Sequence, residues 1–186
     1  MIWGTQLDMM KEFGYKIATF HHAVEAYKIA DRLAEEGVCA AMWADWWGFK
    51  MEAYDGIREN IPFVAKEKGS CAIVHSDDET GIQRLNQEAA KSVADARKVG
   101  VNFTEQEAWT WLSRNPAKSL GILDKTGTLE VGKNADVVLW SGDPFSVYTK
   151  ADMTFVDGAV IWDRADKSRQ GVTDFELGQP SQGDAK

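Results

Sequence analysis

CAIVHSDDET, residues 71–80, is the stretch that decides how this chain folds. Cys71, Ala72, Ile73 and Val74 are apolar or small, the composition of a strand buried on both faces. The run then ends in His75, Ser76, Asp77, Asp78 and Glu79, one imidazole and three carboxylates within five residues. A turn uses one Asp or Ser to cap the helix that follows. It has no need of the rest, so the excess of polar groups at a buried strand's end calls for a chemical reason.

Two other runs resemble this one in kind. KIATF (16–20) has strand character and leads straight into His21-His22, and VCAAMW (38–43) is a second short strand. Between them AVEAYKIADRLAEEG sets Val24, Tyr27, Ala30 and Leu33 or Ala34 at helical spacing, with Gly37 as the stop. TQLDMMKEF (5–13) reads as the end of an earlier helix, stopped by Gly14. A longer loop and a helix over about 52–68 lead to Gly69 and the CAIVHS strand, and about 81–98 is helical. FTEQEAWTWLSRN (103–115) is a further helix, opened by Thr104 and Glu107 at capping-box spacing. Alternation of strand and helix predicts parallel β/α units.

After Asn115-Pro116 the pattern changes. GTLEVGKNADVVLWSGDP and ADMTFVDGAVIWD are short β segments joined by Gly- and Asp-rich turns, with Asp157-Gly158 as a hairpin dipeptide. From about Arg164 the chain is polar, a mobile terminus or a strap on the surface.

Composition narrows the partners. The 186 residues carry a formal charge of −8, and no basic patch interleaved with aromatics occurs, which argues against nucleic acid or an anionic membrane as partner. The longest apolar runs, such as ADVVLW, are far too short to span a bilayer. The start, MIWGTQLDMMKEFG, lacks a basic segment followed by an apolar one, and any signal peptide upstream of Met1 leaves the compartment unreadable. Cys39 and Cys71 each begin an apolar run and read as small buried hydrophobes rather than as a disulfide or a reactive thiol. Eight tryptophans are many for this length, and three crowd into MWADWWGFKMEAY (42–54). That loop is either packed as its own cluster or forms the wall or lid of a pocket.

In a parallel β/α array the carboxyl ends of the strands collect on one face, where ligands bind. Two of the three strand ends, TFHH (19–22) and VHSDDE (74–79), offer imidazole nitrogens and carboxylate oxygens, a donor set suited to Zn²⁺. Strand alternation places His75 and Asp77 on one side, and Phe20 with His22 likewise if the extended geometry persists. The bland alternatives are a structural role for His21, and a loop or first-turn role for Asp78 and Glu79.

HHAVEAYKIADRLAEEG, ADWWGFKMEAYD, IVHSDDE, NPAKSLGI and GTLEVGKNADVVLWSGDP together resemble the C-terminal part of the metal-dependent amidohydrolase superfamily, in its imidazolonepropionase-related branch, over about residues 5–163. The resemblance implies an α/β fold. Residues 1–122 would be the C-terminal portion of a (β/α)8 TIM-type barrel, about strands 6–8, and 123–163 a small β-sandwich segment, with 164–186 as the polar tail. It also implies hydrolysis of amide or cyclic amide C–N bonds by metal-activated water, a divalent cofactor such as Zn²⁺, and a small amide or peptide-like substrate. His22 matches the metal-site His after barrel strand six, with His21 as its alternative. Asp77 matches the Asp after strand eight, a metal ligand and the general base. His75, Trp46 and Trp47 are carried as substrate contacts.

The departures are as informative. The family's His-x-His pair on the first strand, Lys or Glu on the fourth and His on the fifth have no match among three histidines. Three strands cannot close a barrel, so the expectation is a fragment inactive alone, which self-associates or pairs with the missing barrel half. The alternative is a non-catalytic half-barrel that binds or assembles. A third reading has His21, His22, His75 and Asp77 hold a metal unaided.

Overall fold

The computed structural model describes residues 2–79 and 81–170. Most of the polar tail expected from Arg164 onward therefore lies outside the described residues. The first half is α/β: α1 (Ile2–Phe13), β1 (Thr19–Phe20), α2 (Ala30–Glu36), β2 (Cys39–Met42), α3 (Asn60–Ala65), β3 (Ala72–Val74) and α4 (Leu85–Lys98). The strands form one parallel sheet in the order β1-β2-β3, with Thr19 opposite Cys39, Ala40 opposite Ala72 and Met42 opposite Val74.

Alternation along the strands sorts their side chains into two layers. Ala40, Met42, Ala72 and Val74 face the helices and pack with Leu7, Leu33, Ile61, Val64, Ala89 and Val93 in the main core. Cys39, Ala41, Cys71 and Ile73 form a smaller buried cluster on the opposite face. Burial on both faces explains why β2 and β3 read as unbroken apolar runs.

Cys39 and Cys71 are joined in a disulfide, with Cα atoms 4.4 Å apart. This corrects the expectation of two independent buried thiols. The register that pairs Ala40 with Ala72 brings the two cysteines level on one sheet face, a juxtaposition that their separation of 32 residues does not disclose.

The helix expected over AVEAYKIADRLAEEG is divided. Ala26–Ile29 is a 3-10 turn and only Ala30–Glu36 is α-helical. The buried residues of the first part are Ala23, Ala26 and Ile29, not Val24 and Tyr27. A tertiary competitor causes this: the buried Asn60 accepts from Tyr27 N–H (2.9 Å) and donates to the Ala23 carbonyl (2.9 Å). The expected strand at 16–20 shrinks to Thr19–Phe20, because only those residues find a neighbour to pair with.

The Thr104–Glu107 capping box is present, with Thr104 N–H on Glu107 Oε2 (2.8 Å) and Glu107 N–H on Thr104 Oγ1 (3.2 Å). Its helix, α5 (Glu105–Trp109), is shorter than expected, and α6 (Arg114–Ser119) follows after a turn. Thr110 and Ser113 hydroxyls take the Glu107 and Trp109 carbonyls as α5 ends. Pro116 then falls in the first turn of α6, where its missing N–H costs nothing.

β4 (Val137–Trp140), β5 (Ala151–Val156) and β6 (Ala159–Asp163) form a separate antiparallel sheet. The β5–β6 turn has Asp157 at φ 50° and Gly158 at φ 80°, the left-handed pair of a two-residue hairpin. This sheet meets the α/β part through Trp109, whose ring lies 6.1 Å from Trp140 and 5.7 Å from Phe145. Asn86 adds a hydrogen bond to the Pro144 carbonyl (2.6 Å). No helix among the described residues is long and apolar enough to cross a membrane.

Gly127, in the GTLEVGK segment, has φ 91°, and a Cβ there would sit 2.5 Å from Ala117 Cβ and 3.1 Å from the Ser113 carbonyl. Gly127→Ala adds left-handed strain to a backbone clash. It is expected to lower the urea unfolding free energy by about 2–4 kcal/mol.

Candidate metal centre

The site grows from the ends of the three parallel strands. After β1 the chain turns sharply at His22, whose φ of 56° is left-handed and unusual for a residue with a side chain. Ala23 N–H donates to the Ala41 carbonyl (3.1 Å) and Val24 N–H to the His22 carbonyl (2.8 Å), which hold that conformation. This conformation overturns the simple alternation expected here: Phe20 is in the core against Trp3 (4.9 Å) while His22 swings to the strand-end face.

After β3, His75 N–H donates to the Met42 carbonyl (3.0 Å), and its ring stacks on that of His22 with centroids 5.3 Å apart. Asp77 faces both imidazoles: Oδ2 lies 3.1 Å from His22 Nε2 and Oδ1 3.1 Å from His75 Nε2. One potential ligand atom from each of His22, His75 and Asp77 falls within 4.8 Å of the others. Ligands at 2.0–2.1 Å from a tetrahedral zinc stand about 3.3 Å apart, so the two short distances suit a shared ion.

A second observation supports the fit. His75 Nε2 is buried and has no partner in hydrogen-bonding geometry, even though Asp77 Oδ1 is near. A cation between His75 Nε2 and Asp77 Oδ1, 3.1 Å apart, would be held by both atoms. Desolvation lowers the His75 pKa below its ordinary value of 6.5, against the opposing pull of Asp77. The neutral imidazole, the form that binds metal, is therefore favoured.

Of the residues expected from sequence, the structure brings His22 and Asp77 together and adds His75 to their group. His21 stands outside the triple, its ring 5.6 Å from His75 and 6.4 Å from His22. Asp78 belongs to the following turn: its N–H donates to Ser76 Oγ (3.1 Å) and its carbonyl accepts from Ile82 (2.9 Å). The polar cluster at 75–79 thus divides into metal-type groups and turn groups.

The tryptophan loop forms one wall. Trp43, directly after β2, stacks on His22 at 5.0 Å and on Trp46 at 5.6 Å, with Phe49 edge-on to both indoles. Trp47 is anchored by its Nε1–H on the Tyr54 carbonyl (2.9 Å). The sequence reading chose Trp46 and Trp47 but passed over Trp43, although it occupies the third strand end. The rule that strand ends collect on the ligand-binding face applied to it equally.

Three comparisons with known proteins bear on this geometry. The model described as "Amidohydrolase family" matches residues 55–161. The amidohydrolase tasK of Hapsidospora irregularis is 28% identical over 165 residues, 84% of this chain and 16% of that protein. An imidazolonepropionase of Brucella suis is 51% identical over 38 residues, 20% of this chain and 9% of that one. Among solved structures, an amidohydrolase from Thermotoga maritima superposes with a TM-score of 0.70 at 31% identity, over 86% of this chain and 40% of its own. The guanine deaminase of E. coli gives 0.59 at 21% identity, covering 85% of this chain and 42% of its own, a likeness of fold alone. This chain thus spans only a minor part of the proteins it matches.

Proposed function

This chain belongs to the amidohydrolase family, and we propose that it is the C-terminal part of a metal-dependent hydrolase of C–N bonds. In this reading β1, β2 and β3 are strands six to eight of a (β/α)8 barrel spanning residues 1–122, and β4–β6 belong to a small β-sandwich segment over 123–163. The observation that carries the reading is the convergence of His22, His75 and Asp77 ligand atoms within 4.8 Å at the strand ends.

A divalent ion, Zn²⁺ by the donor set, would supply a Lewis acid for the scissile carbonyl and make the attacking water more acidic. His22 and His75 would hold it through imidazole nitrogens and Asp77 through its carboxylate. Asp77 also accepts the proton of the attacking water and returns it to the leaving nitrogen, so the amine departs neutral. Trp43 covers one side of His22 and limits water there. The substrate is a small amide or peptide-like molecule, and the remaining ligands come from barrel strands outside this chain.

Equilibrium dialysis against Zn²⁺ tests the centre. The chain is expected to bind zinc, and His22→Ala to weaken binding at least about tenfold, as loss of a direct ligand should cost no less than loss of an outer partner. Equal zinc uptake by the two proteins would remove the centre from consideration.

A second reading, a non-catalytic half-barrel that binds or assembles, draws on the sheet order. With β2 in the middle, β1 has no strand on its outer side among the described residues, whereas the outer edge of β3 is met by the Trp111 carbonyl, which accepts from Val74 N–H (3.2 Å), and by Asn115 Nδ2, which donates to the Ala72 carbonyl (2.8 Å). The open edge of β1 favours self-association or pairing with the rest of a barrel.

A further inference from the structure

The Cys39–Cys71 bond and the metal-type group stand at opposite ends of one short ladder. Ala40, Ala41 and Met42 lie opposite Ala72, Ile73 and Val74, so Cys39 is level with Cys71 before these pairs and Trp43 with His75 after them. Side-chain alternation leads from the bond through Ala41 and Ile73 to Trp43 and His75 on the same sheet face. There the two rings meet with centroids 5.5 Å apart, and both stack on His22.

The apolar pattern does not fix this register. β2 and β3 are buried on both faces, so a slip of one residue exchanges one apolar side chain for another. The layer on the side of the bond consists of Cys39, Ala41, Cys71 and Ile73, and the bond joins half of it. Between the cysteines, 32 residues apart in sequence, the chain leaves the sheet through the tryptophan loop, forms α3 and returns. The bond closes that excursion. Cys39 is 1% and Cys71 2% exposed. Two thiols need more room than a bonded pair, and a close-packed site yields it only if the strands move. The Asn115 carbonyl, 3.8 Å from Cys71 Sγ, offers a released thiol an acceptor.

We propose that the Cys39–Cys71 bond is a redox-sensitive staple for the site: closed, it holds Trp43 and His75 level beside His22; opened, it releases them. Closing removes two electrons and two protons from the thiols and passes them to a disulfide oxidant, which leaves as two thiols. Opening is the reverse. One thiol of a dithiol reductant attacks a sulfur to give a mixed disulfide, and its second thiol displaces the protein cysteine, leaving two protein thiols and an oxidised reductant. Because both cysteines are buried, exchange waits on a local opening of the strands. The expected effect on zinc rests on the centre proposed above; the staple itself does not.

The test compares the oxidised full chain, the same chain reduced with dithiothreitol, and the variant with Cys39→Ala and Cys71→Ala. Iodoacetamide labelling in denaturant, read by mass, follows the bond: neither cysteine is labelled in the oxidised chain and both are after reduction. Reduction is expected to lower the urea midpoint by about 1–2 M. It should also diminish the near-ultraviolet circular dichroism of the tryptophans while the helical signal remains, and oxidised glutathione should restore both. The alanine variant serves for zinc dialysis, since free thiols would bind the ion themselves; it is expected to bind at least about tenfold more weakly than the oxidised chain. Labelling of both cysteines before reduction, an unchanged midpoint, an unchanged tryptophan signal, or equal, measurable zinc affinity in the alanine variant each overturns the proposal. Loss of the helical signal in the reduced chain or the alanine variant overturns it too, because the bond then serves the whole fold. If reduction acts as expected but the oxidised chain takes up no zinc, the staple stands and the metal reading falls.

Discussion

On the proposed hydrolase reading, Asp77→Asn, introduced into a protein carrying all barrel strands, is expected to lower kcat for an amide substrate by about 10²–10⁴-fold with a far smaller change in KM. Asparagine keeps the size and one oxygen of the carboxylate but cannot accept a proton at neutral pH. It also removes the negative charge that now faces His22 Nε2 and His75 Nε2 at 3.1 Å each. Loss of the base acts on the transition state, where the proton moves, and little on ground-state binding. The two roles can be separated by metal content. A variant that retains zinc but loses turnover assigns the loss to proton transfer; one that loses both assigns it to ligation. Unchanged turnover would exclude Asp77 from the chemistry altogether.

Asn60→Leu is expected to cost about 2–5 kcal/mol of unfolding free energy, because it leaves two backbone groups unpaired while preserving volume. The Asn60 side chain is 2% exposed and bonds both Tyr27 N–H and the Ala23 carbonyl. Ala23 adjoins His22, so the same change loosens the left-handed turn that aims the imidazole at Asp77. Urea denaturation reads the first effect and zinc dialysis the second. Asn60→Asp should fall between the two, since a carboxylate can still accept from Tyr27 but cannot donate to Ala23. If Asn60→Leu unfolds at the wild-type urea concentration, the bridge contributes little. If it alters stability without altering zinc binding, His22 is positioned by its other neighbours.

The alternation of strand and helix, the change to β hairpins after Pro116, and the polar ends of two strands were all legible in the sequence. Each depends on local physics: side-chain period, turn chemistry, and the type of donor that follows an apolar run. The Thr104–Glu107 box and the Asp157-Gly158 turn belong to the same class, since their bonds close within a few residues. The excess of carboxylates marked the end of the CAIVHS strand as chemical, and the family resemblance pointed to Asp77 among them.

Other features were decided only by the tertiary structure. The Cys39–Cys71 disulfide depends on the parallel register of β2 with β3. The division of the 23–37 helix depends on Asn60, which lies on a different element and competes for backbone groups that local propensity would have placed in an α-helix. His22 reaches Asp77 through a left-handed turn rather than by continuing the strand. Of the four residues the sequence offered as joint ligands, packing brings His75 Nε2 to 3.1 Å from Asp77 and leaves His21 outside the group. Trp43 acquires meaning from the packing that stacks its indole on His22 at 5.0 Å. In each case the deciding interaction joins residues far apart in the chain, where sequence pattern carries no distance and only packing supplies one.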